Sequence, residues 1–138
     1  MRHIVIINGV NLGELGSREV NIYGHTDFDS YMKQLQSMFS DVKFSYYQTN
    51  SLEEIVVALL QNRDKDGIVL NPGAYTHTAM VLADTIKAIP ARVVEVHISN
   101  LFGRENFRKT SYIAAACAGS ISGFGLKGYQ LAVLSLLN

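Results

Sequence analysis

The sequence predicts a single α/β domain with a doubly wound, five-stranded parallel sheet. Short runs rich in valine and isoleucine alternate with longer segments in which apolar residues recur every three or four positions. This alternation is typical of βαβ units. The chain has 138 residues, which is enough for one core and too few for a (β/α)₈ barrel of about 250 residues.

The five predicted strands are residues 3–8, 42–48, 67–71, 92–97 and 118–122. They are rich in valine or isoleucine, or in small residues that pack closely, as expected for strands that are buried on both faces. Because crossovers between parallel strands are right-handed, five such units favour the flavodoxin-like strand order 2-1-3-4-5.

Four helices are predicted between and after the strands. Apolar residues at positions 28, 31, 35 and 38, and again at 52, 55, 56, 59 and 60, indicate two amphipathic helices. Ser51 and Glu54 are expected to form a capping box at the start of the second. The third helix is predicted to follow Gly73 and to run to about residue 89, where Pro90 stops it, and the last to span about 126–136.

The composition argues against several classes of protein. Lys plus Arg and Asp plus Glu each number 12, so we expect no nucleic-acid partner. The sequence has no signal-peptide pattern and no apolar run of about 18 residues, so we expect a soluble cytoplasmic protein without membrane contact. Cys117 has no cysteine partner, and the scattered histidines lack the spacing of metal ligands, so no metal is expected.

Polar, amide-rich residues follow four of the predicted strands. These segments are residues 8–11, 48–50, 71–73 and 97–100. Turn chemistry alone explains one or two such segments. Because ligands of open α/β sheets bind outside the carboxyl ends of the strands, four such segments at one edge predict a functional site there.

The fourth strand carries an acid and an imidazole in alternating positions. Glu95, His97 and Ser99 are predicted to lie on one face, with Val94, Val96 and Ile98 on the other. A buried carboxylate needs a partner, so we expect Glu95 to contact His97 or a group on the third helix. A histidine held by a carboxylate suits general acid catalysis. A purely structural polar ladder is the alternative.

The connection over residues 9–26 is much longer than a usual βα loop, which predicts a lid or a binding loop. It contains Arg18 and Tyr23. A guanidinium about 4 Å from a phenol lowers the phenol pKa by about three units before desolvation opposes it, which makes a tyrosinate base feasible. Spacing alone leaves equally open that Tyr23 packs within the loop and that Arg18 is solvated.

Two further pairs are candidates for ligand contacts. His77 and Asp84 are seven residues apart on the predicted third helix and would share a face. We expect His77 to point into the site, whereas surface exposure explains Asp84 equally well. Arg104 and Arg108 are four apart on a predicted short helix, and either suits a carboxylate or hydroxyl ligand. We favour Arg108, with an outward salt bridge as the alternative.

The motifs at the strand ends, taken together, strongly resemble type II 3-dehydroquinate dehydratase from residue 4 to about residue 133. They are Asn8-Gly9-x-Asn11-Leu12, Gly16-x-Arg18-Glu19, Ile22-Tyr23-Gly24, the run from Asn71 to Thr78, Glu95-Val96-His97-x-Ser99-Asn100 and Arg104-Glu105-x-Phe107-Arg108. The resemblance implies a flavodoxin-like enzyme without cofactor. It implies that 3-dehydroquinate loses water by anti elimination through an enolate to give 3-dehydroshikimate.

The resemblance also implies roles for individual residues. Tyr23 would be the base that takes the α-proton, with Arg18 lowering its pKa and Asn11 stabilising the enolate. His97 would be the general acid, oriented by Glu95. The residues implied to bind the substrate carboxylate and hydroxyls are Asn71, His77, Ile98 through its backbone amide, Ser99 and Arg108.

The resemblance extends to assembly. Asp84 matches a position that reaches the site of a neighbouring subunit, and the family typically forms dodecamers built from trimers. The chain departs from the usual family pattern at Val10, Gly13, Val20 and residues 51–54. None of these residues is implied to transfer a proton, so we expect the departures to affect the loop or the subunit contacts.

Other functions compete with this interpretation. The main alternative is a flavodoxin-like module that binds a flavin or phosphate without elimination chemistry, but residues 9–17 carry Glu14 and only one hydroxyl, Ser17, which suits a phosphate poorly. Residues 123–128 fit G-x-G-x-x-G, yet only ten residues follow, too few for a dinucleotide-binding unit. A Schiff-base dehydratase would need a lysine at the carboxyl edge, whereas Lys33, Lys43, Lys65 and Lys87 are expected on helices or away from that edge. A catalytically silent assembly protein is a third alternative.

Overall fold

The structure is a computed structural model, and it describes residues 1–10, 12 and 27–138. The described residues form one sheet of five parallel strands in the order β2-β1-β3-β4-β5. The strands are β1 (Arg2–Asn8), β2 (Val42–Gln48), β3 (Gly67–Asn71), β4 (Val93–His97) and β5 (Gly119–Ser122). The predicted strand order is confirmed, and each predicted strand end lies within one residue of the observed one.

Helices cover both faces of the sheet, as a doubly wound fold requires. The described helices are α1 (Phe28–Met38), α2 (Leu52–Gln61), α3 (Met80–Ala88) and α4 (Lys127–Leu136). The first and last pack on one face, in the cluster that contains Val94 and Val96. The other two pack on the opposite face, in the cluster that contains Val5 and Ile7. None of the described helices is both long enough and apolar enough to span a bilayer.

The start of α2 shows how its cap forms. The Ser51 hydroxyl accepts a hydrogen bond from the Glu54 backbone N–H at 3.3 Å, as predicted. The reciprocal half of the capping box is absent, because the Glu54 carboxylate instead accepts a hydrogen bond from the Thr49 hydroxyl. That hydroxyl in turn accepts from the Ser51 backbone N–H at 3.0 Å. Thr49 therefore links the end of β2 to the first turn of α2.

The predicted third helix starts later than expected, and this prediction was wrong. Residues Gly73–His77 form a 3₁₀ segment, and α3 begins only at Met80. The Thr76 carbonyl accepts a hydrogen bond from the Tyr112 backbone N–H at 2.8 Å. It therefore bonds to Tyr112 and not to the backbone N–H of residue 80, as it would in an α-helix. Consequently His77 and Asp84 lie on different elements and do not share a helical face.

The segment after β4 also differs from the predicted single short helix. It contains the 3₁₀ segments Leu101–Gly103, Asn106–Lys109 and Ala114–Ala116. Arg104 and Glu105 connect the first two of these 3₁₀ segments in an extended conformation, with ψ of −163° and 151°. Arg104 and Arg108 therefore do not face each other across a helical turn, and the prediction that they do was wrong.

The loops that follow β1 and β3 are in direct backbone contact at the carboxyl edge. The Gly9 N–H donates to the Asn71 carbonyl at 2.7 Å. A Cβ on Gly9 would lie 2.6 Å from the Pro72 carbonyl oxygen, and one on Gly73, where φ is 65°, would lie 2.7 Å from Val10. Only glycine fits such an approach, so these two positions bring the two loops together beside the predicted site.

Candidate active site

A carboxylate and an imidazole form a buried pair at the end of β4. The Nε2 atom of His97 lies 2.6 Å from Oε2 of Glu95. Glu95 is fully buried and His97 is 6% exposed. The two side chains meet because residues two apart on a strand point to the same face, which is the arrangement that the sequence predicts.

Three hydroxyl groups complete the surroundings of the Glu95 carboxylate. Thr76 and Ser111 donate to Oε2 at 2.9 and 2.8 Å. Ser120, the β5 residue paired with Glu95 in the sheet, donates to Oε1 at 2.5 Å. Because the Ser111 oxygen also accepts from the backbone N–H groups of residues 113 and 114, its own hydrogen is directed to the carboxylate.

These contacts determine the charge of Glu95. Burial alone would raise its pKa, but the hydrogen bond and charge of His97, with the hydroxyls of Ser120 and Ser111, lower the pKa to about 2. Glu95 is therefore a carboxylate at neutral pH. Its Oε2 atom occupies Nε2 of His97. The Nδ1 atom is then the nitrogen left to exchange a proton with a bound molecule.

The lowered pKa of Glu95 predicts how the free energy of unfolding depends on pH in the acidic range. Its pKa is lower in the folded chain than in the unfolded chain, so its contribution to the free energy of unfolding is present above about pH 4.5 and is lost as the pH falls toward about 2. In urea unfolding between pH 7 and pH 3, we expect the Glu95→Gln variant to lose stability less steeply than the parent.

The exposed carboxylate of Glu53 provides the matched control for this experiment. Glu53→Gln removes the same charge without touching the buried pair, so its pH dependence should follow that of the parent. Equal slopes for the parent and Glu95→Gln would contradict the assignment of an ionised, stabilising Glu95.

His77 lies beside this pair, although it reaches the position from the 3₁₀ segment. Its Nδ1 atom is 2.6 Å from the Thr110 carbonyl oxygen, so Nδ1 carries the hydrogen and donates. The ring stacks roughly parallel to that of His97, with 6.4 Å between centroids, and the Phe107 ring meets it edge-on at 5.9 Å. His77 and His97 therefore lie close together at one edge of the sheet, as predicted.

A groove of about 400 Å³ opens next to the end of β4. The residues that line it are Ile98, Ser99, Asn100, Gly103, Arg104, Gly123 and Gly125. Both of the last two glycines have positive φ, 96° and 61°. The Ser99 hydroxyl accepts a hydrogen bond from Arg104 at 3.2 Å. The groove therefore combines bare backbone with one guanidinium, which suits an anionic, hydroxylated ligand.

The two arginines occupy different environments. Arg108 forms an ion pair with Glu105, with 2.8 Å between Nε and Oε2, and its guanidinium lies 4.9 Å from the centre of the Phe107 ring. Arg104 also contacts that carboxylate, with 3.8 Å between Nε and Oε2, but it lines the groove as well. The salt bridge considered as the alternative for Arg108 is thus observed. Sequence reasoning favoured Arg108 over Arg104, and a ligand contact of Arg108 stays a prediction.

Two of the remaining predicted residues lie in the described part of the chain. Asn71 is buried at the carboxyl end of β3, and Asp84 is exposed on α3. Asn11, Arg18 and Tyr23 lie outside the described residues, so their predicted roles stay predictions.

The hydroxyls that bind Glu95 were missed by sequence reasoning. Ser120 had a usable signal, since it alternates with Ile121 in a strand next to β4. Thr76 and Ser111 come from irregular segments, for which periodicity gives no prediction.

Comparisons with known proteins agree with this geometry. The family model described as Dehydroquinase class II matches residues 2–137. A 3-dehydroquinate dehydratase from Caldicellulosiruptor saccharolyticus is 43% identical, and the alignment covers 99% of this chain and 97% of that protein. One from Pelodictyon phaeoclathratiforme is 44% identical, with 97% and 91% covered. The type II dehydroquinase structure from Butyrivibrio crossotus has a TM-score of 0.95 and 37% identity, with 99% and 98% covered.

Proposed function

The chain belongs to the class II dehydroquinase family, and we propose that its pocket removes water from 3-dehydroquinate to give 3-dehydroshikimate, in the shikimate pathway of aromatic amino acid biosynthesis. The observation that carries the proposal is the buried Glu95 and His97 pair at the carboxyl end of β4. Dehydration of a β-hydroxy ketone needs a proton donor for the departing hydroxyl, and a carboxylate-bound imidazole is such a donor near neutral pH.

The reaction divides into two proton transfers. Tyr23, as a phenolate next to Arg18, takes the proton from the carbon between the ketone and the carbon that bears the hydroxyl. The electron pair forms an enolate, which Asn11 stabilises. His97 then gives its proton to the hydroxyl, which departs as water, and the new carbon–carbon double bond is conjugated with the ketone. Glu95 keeps the imidazole oriented throughout, and its negative charge stabilises the imidazolium until the proton is transferred.

Substrate binding uses groups at the carboxyl edge of the sheet, two of which line the groove. The residues that we assign to the substrate carboxylate and ring hydroxyls are Asn71, His77, the backbone amide of Ile98, Ser99 and Arg108. For Arg108 this requires its guanidinium to exchange or share its bond with Glu105, which is exposed and so offers little resistance. The same geometry places Arg104 at the groove, where its guanidinium suits a carboxylate.

Assembly and location follow the family resemblance. We assign exposed Asp84 to the site of a neighbouring subunit, in a dodecamer built from trimers. A carboxylate on the solvent face of α3 is free to serve a second chain. We place the enzyme in the cytoplasm, where its single cysteine needs no disulfide partner.

Absorbance of the conjugated enone after mixing the protein with 3-dehydroquinate tests the proposal. We expect rapid enone formation that borohydride does not abolish, because no imine with a lysine is formed. The purified protein should also be colourless. A protein that forms no enone, but carries a visible flavin spectrum, would instead support the binding module considered as the alternative.

A further inference from the structure

A buried hydrogen-bond chain joins the carboxyl ends of β1 and β3 to α4. Tyr129 on α4 is fully buried, and its hydroxyl accepts from Asn71 Nδ2 at 2.8 Å and donates to Asn8 Oδ1 at 2.7 Å. Asn8 and Asn71 are paired in the sheet. Beyond them, Asn8 Nδ2 lies 3.4 Å from the Tyr46 hydroxyl. The phenol of Tyr129 therefore bridges two carboxamides that the parallel strands place side by side.

The chain has a defined direction. The Gly73 N–H donates to Asn71 Oδ1 at 3.1 Å, so the oxygen of that amide faces Gly73 and its nitrogen faces Tyr129. A phenol has one hydrogen, which is donated to Asn8, so its oxygen accepts from Asn71. Turning the Asn71 amide over would set its NH₂ group against the Gly73 N–H. The amide is thus held in one orientation at both of its ends.

This orientation leaves a defined hydrogen-bonding capacity at the site. The amide nitrogen of Asn71 has two hydrogens, and one is used on Tyr129. The second makes no hydrogen bond among the described residues, and it is the hydrogen that we assign to an oxygen atom of the substrate. An amide that must be oriented only when the ligand arrives would lose conformational freedom on binding, whereas an amide already oriented does not.

Tyr129 is unsuited to proton transfer. Its complete burial raises the pKa of its hydroxyl, and this effect outweighs the hydrogen bonds with Asn71 and Asn8. The phenol is therefore neutral near pH 7. Its contribution must come from hydrogen-bond geometry.

We propose that Tyr129 is a positioning residue for substrate recognition, which holds the Asn71 carboxamide in the orientation that donates a hydrogen bond to the substrate. The inference rests on the proposed function, because that function assigns Asn71 to the substrate. Tyr129 acts from the α1 and α4 face of the sheet, whereas Glu95 and Thr76 support His97 on the opposite face. The residue that orients the substrate-binding amide thus lies on the opposite face of the sheet from the residues that orient the proton donor.

The test is the steady-state kinetics of Tyr129→Phe with 3-dehydroquinate. Phenylalanine keeps the ring and removes the bridge, so the Asn71 amide loses its acceptor. We expect KM to rise by about tenfold or more, while kcat changes by less than about threefold and keeps its pH profile. An unchanged KM, or a loss confined to kcat, would overturn the inference.

Tyr31→Phe is the matched control. Tyr31 is also buried, its ring lies 6.1 Å from that of Tyr129, and its hydroxyl makes no side-chain hydrogen bond among the described residues. This variant makes the same chemical change in the same aromatic cluster, so KM should stay within about twofold of the parent. A similar rise in KM for both variants would assign the effect to general loosening of the core and overturn the proposal.

A double-mutant cycle tests whether Tyr129 acts through Asn71. In the Asn71→Ala background, Tyr129→Phe should raise KM by less than about twofold, since the amide that it positions is absent. An undiminished effect in that background would contradict the inference.

If Tyr129→Phe fails to fold, NMR of the parent protein with ¹⁵N-labelled asparagine decides. Addition of 3-dehydroshikimate should shift one Asn71 side-chain amide hydrogen and leave its partner protected. Rapid exchange of both amide hydrogens with solvent before ligand is added would refute the fixed orientation. A parent protein without dehydratase activity would refute the proposed function instead, so the two failures are distinguishable.

Discussion

Replacing His97 with alanine is expected to lower kcat by at least about 10², the lower end of the contribution of a general acid or base. Without the imidazole, the hydroxyl must leave as hydroxide or take a proton from water, and both routes raise the barrier. KM should change by only a few-fold, because His97 acts mainly on the departing group. Enone absorbance measures both quantities.

The local structure indicates that His97→Ala will fold. The Glu95 carboxylate loses one donor, but it keeps its hydrogen bonds to three hydroxyl groups. Circular dichroism and thermal unfolding would verify this. His3→Ala is the matched control, because His3 lies at the amino-terminal end of β1 and contacts Ser45. Its kcat should stay within about twofold of the parent, and a loss of 10² in both variants would remove His97 from the mechanism.

The second large effect is expected for Tyr23→Phe, which should also lose at least about 10² in kcat. A guanidinium about 4 Å from the phenol contributes about 4 kcal/mol at an effective dielectric constant of 20, equivalent to about three pKa units. The base would then be about half ionised near pH 7. Phenylalanine removes the basic oxygen and keeps the ring, so the loss reports on proton abstraction rather than on packing.

The pH dependence distinguishes this role from a structural one. In the parent, kcat/KM should fall as the pH drops below about 7, because the phenolate becomes protonated. In Tyr23→Phe this acidic limb should be absent from the residual activity. The exposed Tyr47 serves as a control, and Tyr47→Phe should retain the full pH profile. A Tyr23→Phe variant with the parent rate would rule out a phenolate base.

Much of the fold was predictable because the hydrophobic pattern of buried parallel strands is strong. The five strands and their order follow from short β-branched runs and the handedness of crossovers. The pairing of Glu95 with His97 was predictable for the same reason, since it depends only on alternation within one strand. Local sequence patterns can thus predict contacts within a single strand or helix.

The remaining features depend on contacts between distant segments. The late start of α3 results from the bond between Thr76 and Tyr112, and the hydrogen bonds to Glu95 come from Thr76, Ser111 and Ser120. No short-range pattern specifies that these segments converge. The position of Arg104 at the groove likewise depends on the extended backbone between two 3₁₀ segments. Helical spacing wrongly predicted that Arg104 and Arg108 lie one helical turn apart.

We propose that two different residues move the two protons, with Tyr23 taking one from carbon and His97 giving another to the hydroxyl. Exchange of the α-hydrogen of 3-dehydroquinate in D₂O, followed by mass spectrometry of unreacted substrate, separates the two transfers. We expect His97→Ala to introduce deuterium while forming almost no enone, and Tyr23→Phe to do neither. Rapid exchange by Tyr23→Phe, or none by a folded His97→Ala that binds substrate, would contradict the account.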